Sequence, residues 1–86
     1  MGFKPILNNS ASKYLLKQPQ PWRTKIADAI ANLPEGNVRQ MQGRSGYRLT
    51  IGSYRVLFEY TDEVDEDGLQ VIDVFLIGPR GDVYKK

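Results

Sequence analysis

Two arginines, Arg48 and Arg55, lie on either side of a Gly52-Ser53 pair in the stretch GYRLTIGSYRVLFEY, residues 46–60. Tyr47, Leu49 and Ile51 alternate with Arg48 and Thr50 before the Gly-Ser step, and Tyr54, Val56, Phe58 and Tyr60 alternate with Arg55, Leu57 and Glu59 after it. This period of two predicts a pair of strands joined by a two-residue turn of type II′. Such a turn sets Ile51 opposite Tyr54, Leu49 opposite Val56 and Tyr47 opposite Phe58, so one face is wholly apolar or aromatic. The other face receives Thr50 opposite Arg55 and Arg48 opposite Leu57, which puts the two arginines on a diagonal, roughly 7 to 8 Å apart. Neighbouring cations repel unless an anion lies between them, and a guanidinium is shaped for bidentate contact with phosphate. The competing account is a solvated sheet face with Arg55 paired to Glu59 or another nearby acid. The hairpin alone leaves both accounts open. Arg44, in the preceding turn at 43–46, is either a further solvated residue or an extension of the basic surface.

The rest of the chain has to position that face. Residues 2–7 hold Phe3, Ile6 and Leu7 around Pro5, which cannot donate to a ladder, so a short edge strand is expected. Asn8, Asn9 and Ser10 offer caps for a helix beginning near Ala11, with Ala11, Tyr14 and Leu15 on one face. Gln18-Pro19-Gln20-Pro21 ends that helix, and Pro21 suits the first turn of a second one. Trp22, Ile26, Ala29, Ile30 and Leu33 then form an apolar stripe, a spacing that marks Trp22 as a packing residue rather than a base-stacking platform. Residues 38–42 read as a weakly alternating strand, with Val38, Gln40 and Gln42 on one side and Arg39 and Met41 on the other. Residues 69–77, LQVIDVFLI, are apolar on both faces and predict a central or protected strand that stops at Gly78-Pro79. The expected fold class is α+β: a short N-terminal strand, then a helical hairpin packed on a mainly antiparallel sheet, in the order β-α-α-β-β-β. The helices need the Tyr47, Leu49, Ile51, Tyr54, Val56 and Phe58 face, which leaves Arg48 and Arg55 on an uncovered concave side.

Composition narrows the functions. Eighty-six residues make one domain with a modest core. With no Cys and no His the chain lacks a disulfide framework, a thiolate nucleophile, the usual metal ligands and the usual general base. A catalytic zinc site or a Ser-His-Asp triad is excluded, and no cofactor or metal is expected. No apolar run is long enough for a signal peptide or a membrane span, so a soluble, cytoplasmic protein is expected. The net charge of +2 conceals an uneven distribution: five of the ten acids fall in TDEVDEDG, residues 61–68, leaving twelve Lys and Arg against five acids elsewhere, a balance of +7. A basic body with one acidic, mobile loop points to a polyanionic partner.

The hairpin YRLTIGSYRVLFEY, followed by a strand and then GPRGDVYKK, resembles the RelE/ParE superfamily of toxins from type II toxin–antitoxin systems, over nearly the whole chain. RelE-like members are ribosome-dependent endoribonucleases that cut messenger RNA, and ParE-like members poison DNA gyrase; each is silenced by a cognate antitoxin. The resemblance implies that Arg55 holds the scissile phosphate, that Arg80 stabilises charge or protonates the leaving oxygen, and that Tyr84 stacks on or activates the nucleotide. It makes Arg48, Thr50 and Lys85 substrate-binding positions. Thr50 departs from the pattern, because that position is often lysine or arginine and a hydroxyl cannot replace the charge. Attack by the substrate's own 2′-hydroxyl needs a proton removed, the phosphorane's charge stabilised and the 5′-oxygen assisted, none of which requires a metal or a His. Tyrosine ionises near 10, and adjacent guanidiniums would favour its phenolate. The bland alternatives are a tail aromatic packed on the sheet edge for Tyr84 and a turn arginine paired with Asp82 or Asp73 for Arg80. An exposed strand arginine adds under about 1 kcal/mol to folding. On that basis Arg55 is expected to matter for chemistry and not for stability.

Three functions follow from this reading. The first is a RelE-type messenger RNA interferase. The second is a ParE-type gyrase inhibitor acting by binding, which Thr50 favours. The third is an interaction protein whose basic face docks on an acidic partner. The implied partners are a separate antitoxin chain, acidic and partly disordered, together with messenger RNA on the ribosome or, in the alternative, DNA gyrase.

Overall fold

A computed structural model of the protein describes residues 2–79. The chain begins with an edge strand, β1 (Phe3–Leu7), then folds into two helices, α1 (Asn9–Leu16) and α2 (Trp22–Ala31). Asn8 starts α1: its side-chain oxygen accepts from the Ala11 N–H at 2.8 Å, satisfying one of the donors that a helix start leaves unpaired. Pro21 occupies the cap position of α2, just outside the first turn in which it was expected. Four strands follow: β2 (Val38–Gln40), β3 (Tyr47–Ile51), β4 (Tyr54–Val64) and β5 (Gln70–Pro79). The β-α-α-β-β-β plan is present, and the weakly alternating segment at Val38 adds a short strand at the edge.

The five strands form one sheet in the order β1-β5-β4-β3-β2, with β1 parallel to β5 and all other pairs antiparallel. The β3–β4 register is the predicted one at all five positions, from Tyr47 opposite Phe58 to Ile51 opposite Tyr54. Gly52 has φ of 56° and Ser53 is not in the positive-φ region, the pattern of a type II′ turn. A Cβ on Gly52 would also stand 2.8 Å from the Trp22 ring, so only glycine fits both the turn and the packing.

Both helices cover the apolar face of the sheet. Ile26 and Ile30 from α2, Leu33 just beyond its end and Ala11 from α1 are buried against Leu49, Val56, Phe58, Ile72, Val74 and Ile77. Full burial of each larger side chain stabilises the fold by ~1.5–3 kcal/mol. Trp22 is half-buried, with its ring 5.6 Å from that of Tyr54, and the Tyr54 hydroxyl donates to Gln18 Oε1 at 2.9 Å, tying the link between the helices to the β3–β4 turn. Trp22 is therefore a packing residue, as its spacing predicted. Strand β5 lies between β1 and β4, which accounts for its apolar character on both faces, and it continues through Gly78 and Pro79, which pair with Arg55 and Tyr54.

The acidic segment differs from its expectation. It is not one mobile loop, because β4 continues to Val64 and only a short connection remains. Asp65 closes that connection: its Oδ1 accepts from the N–H groups of Asp67 at 2.9 Å and Leu69 at 2.8 Å, and its backbone N–H donates to Leu69 O at 2.9 Å. An Asp side chain that bonds the backbone ahead of it substitutes for a longer turn. Among the described residues no helix is long and apolar enough to cross a membrane.

Candidate functional site

The face of the sheet turned away from the helices carries the residues of interest, and its order across the strands can be read from the register. Leu76 on β5 lies opposite Leu57 on β4, Leu57 opposite Arg48 on β3, and Arg48 opposite Arg39 on β2. One row thus passes from apolar to cationic over three strand spacings, about 14 Å. The row toward the β3–β4 turn holds Gly78, Arg55 and Thr50, and the row on the other side holds Ile6, Asp73 and Glu59.

Arg39 and Arg48 directly oppose one another, a like-charge pair that opposes sheet formation. With Arg44 from the β2–β3 connection they line a groove of about 620 Å³, completed by Gln40, Met41 and Gln42. Among the described residues no carboxylate lines it. Three guanidiniums around an open groove favour an anion there, and their planar forks fit phosphate or carboxylate oxygens. The sequence marks Arg48 as a site residue and Arg44 as either a solvated turn residue or an extension of the basic surface. Arg39 was seen to share a side with Met41 but was given no role. Its partnership with Arg48 follows from pairing back through the turn at 43–46, a step that the weak alternation of 38–42 did not prompt.

Arg55 is not on an open surface. It is 9% exposed, and its Nη1 donates to two backbone carbonyls of the turn, Tyr54 O at 2.9 Å and Gly52 O at 3.1 Å. These bonds use both hydrogens of Nη1, leaving Nε–H and Nη2 for other partners. The exposed strand arginine expected from alternation is instead half a structural clamp on the β3–β4 turn. Thr50, half-buried, sits opposite it. Arg80, Tyr84 and Lys85 lie outside the described residues.

The expectation of an uncovered face is corrected too. Leu57 is 0% exposed, and with Met41 it forms a second small core against which Phe75 and Leu76 pack. Leu57 interrupts the polar face within the sequence, which was the available signal. On the helix side, Tyr60 lies 5.1 Å from Tyr47 and 5.8 Å from Phe3, ring to ring. Burial pushes its phenol above the ordinary value, and the Tyr47 phenol beside it adds to that. Glu59 of the third row is engaged at its margin: Ser45 Oγ donates to its Oε1 at 3.0 Å.

Among the described residues no group of three or more His, Cys, Asp or Glu is arranged to hold a metal ion. The arrangement offers anion binding by Arg39, Arg44 and Arg48 beside a small apolar field. Compared with known proteins, the chain matches no family model and no curated protein.

Proposed function

We propose that this chain is the toxin of a type II toxin–antitoxin system, of the RelE/ParE kind that its sequence resembles, acting in the cytoplasm as an endoribonuclease on ribosome-bound messenger RNA. The observation that carries the reading is the groove lined by Arg39, Arg44 and Arg48, which gathers three guanidiniums at one edge of the sheet. Planar guanidinium forks fit phosphate oxygens, and a basic cluster favours a polyanion. RNA phosphates lying in the groove would set the register of the strand. The 2′-hydroxyl of one nucleotide attacks the adjacent phosphorus, the 5′-oxygen leaves, and a cyclic phosphate remains. The roles assigned here follow the sequence resemblance: Arg55 and Arg80 stabilise the phosphorane, and Tyr84 exchanges the proton. Lys85, Arg48 and Thr50 hold the substrate. The partner that silences the chain would be an antitoxin with an acidic segment folding over the same face.

A second reading is kept because Thr50 brings no charge to its position and the Arg55 guanidinium is engaged by the turn. Both favour a protein that binds without cleaving, a gyrase inhibitor of the ParE kind. Inducible expression of the wild type, Arg48→Ala and Tyr84→Phe separates the two. Growth arrest, primer extension on cellular messenger RNA and gyrase supercoiling are measured in parallel. The interferase reading expects new messenger RNA ends with wild type and their loss in both variants. Arrest with intact messenger RNA and inhibited supercoiling would replace it by the gyrase reading.

A further inference from the structure

Between the partners of Leu57 and Phe58, strand β5 carries one residue more than β4. Leu57 lies opposite Leu76 while the next residue, Phe58, lies opposite Val74, so Phe75 is extra to the ladder. A bulge of this kind bends its strand and re-aims side chains. Its result here is specific: Val74 and Ile77 belong to the core beneath the helices, whereas the consecutive residues Phe75 and Leu76 both pack on the Met41 and Leu57 side. Strict alternation would have sent one of the two to the helices. The bulge is also held from outside the ladder. Asn8, which caps α1 through Oδ1, donates from Nδ2 to Phe75 O at 3.0 Å, and its backbone N–H donates to Val74 O at 3.1 Å.

The bulge therefore places a half-buried aromatic ring on the same face as Arg39, Arg44 and Arg48, at the apolar end of the row that they terminate. We propose that Phe75 is a stacking platform for one base of a single-stranded nucleic acid whose phosphates lie on Arg39, Arg44 and Arg48. This rests on the polyanion reading of the arginine groove. Every base has a π-face, so an aromatic ring beside a cationic track binds single strands whatever their sequence. The neighbouring row supports the orientation: Glu59 and Asp73 are opposite each other and repel phosphate, which keeps the backbone of the strand over β2 and β3 and directs its bases toward β4 and β5. An acidic amphipathic peptide would also meet the arginines, but among the described residues lining their groove Met41 alone is apolar, which offers little to its apolar side chains.

The test measures fluorescence anisotropy of a short 2′-O-methyl RNA, which resists cleavage through the 2′ position, against an abasic strand with the same number of phosphates. Wild type is expected to bind the base-bearing strand about fivefold or more tightly. Phe75→Leu keeps an apolar side chain against Met41 and Leu57 but has no ring, and should bind both strands alike at an unchanged melting temperature; Phe75→Tyr should restore the preference. Equal binding of the two strands by wild type, or a preference that survives in Phe75→Leu, would overturn the platform while leaving the anion groove standing. Failure to bind either strand at low salt would overturn the polyanion reading beneath it, and capture of an acidic amphipathic peptide in their place would reassign the face to a protein partner.

Discussion

Arg39 and Arg48 lie opposite each other across β2 and β3. Replacing Arg39 by Gln removes the repulsion while keeping a polar side chain at the edge. The variant is expected to be more stable by ~0.2–1 kcal/mol and to bind single-stranded RNA less tightly. Opposite signs in thermal denaturation and binding would identify a residue kept for its ligand; a loss in both would make it structural. Arg55 behaves differently. Its bonds to the Gly52 and Tyr54 carbonyls are charge-assisted and largely shielded from water. Arg55→Ala should cost about 1–2 kcal/mol of folding stability, several degrees in Tm for a chain of this length. Activity lost by that variant therefore has to be judged at a temperature where it is folded, and an unchanged Tm would show that the clamp carries no weight.

At the level of elements, the β4–β5 connection depends on one carboxylate. The N–H of Leu69 does most to hold the Asp65 carboxyl below its ordinary value of 3.8; burial opposes it as the next largest effect, and the N–H of Asp67 and the nearby Lys4 ammonium add to the lowering. Lys4 Nζ lies 3.6 Å from Asp65 Oδ2, so the same group links β1 to the hairpin tip. A depressed folded-state value means that the contribution is complete above 3.8 and is lost as pH falls below it through the lower folded-state value. Asp65→Asn retains an acceptor for both N–H groups and removes the charge. Its destabilisation relative to wild type, measured by denaturant unfolding, should be evident at neutral pH and should shrink as pH falls well below 3.8. A gap independent of pH would assign the effect to geometry alone. The opposite turn has a steric rather than an electrostatic requirement. Gly52→Ala meets the Trp22 ring and an unfavourable φ together, and should destabilise by about 1–3 kcal/mol.

For the molecule as a whole, charge separation governs behaviour in salt. The acids concentrated in residues 61–68 sit on the hairpin formed by β4 and β5, while Arg39, Arg44 and Arg48 gather at the β2–β3 edge. Binding to single-stranded nucleic acid should weaken linearly in log-log form with salt. Each arginine of the groove replaced by alanine should reduce the slope by about 0.7. A slope unchanged in Arg39→Ala, Arg44→Ala and Arg48→Ala would place the phosphates elsewhere. Cleavage on ribosomes held at constant magnesium should survive a zinc-selective chelator, because the chain contains no His and no Cys. Loss of cleavage there would refute the metal-independent mechanism.

Where one short segment contains both halves of a relationship, the sequence by itself determined the outcome. Tyr47–Ile51 and Tyr54–Val64 alternate with period two around a two-residue Gly-Ser turn, so all five β3–β4 pairs were legible, as was the stripe of α2 with its period of 3.6. Only the tertiary structure decided relationships between segments that are distant along the chain. The pairing of Arg39 with Arg48 depends on a three-residue edge strand whose own alternation is weak. The turn toward Phe75 depends on an extra residue that can be counted only against β4, and on Asn8, sixty-seven positions away, holding its carbonyl. Arg55 shows the limit most plainly. Alternation determines the face on which a side chain starts, but a long guanidinium is free to fold back onto nearby carbonyls, and whether it does so is decided by what the packed sheet leaves within its reach.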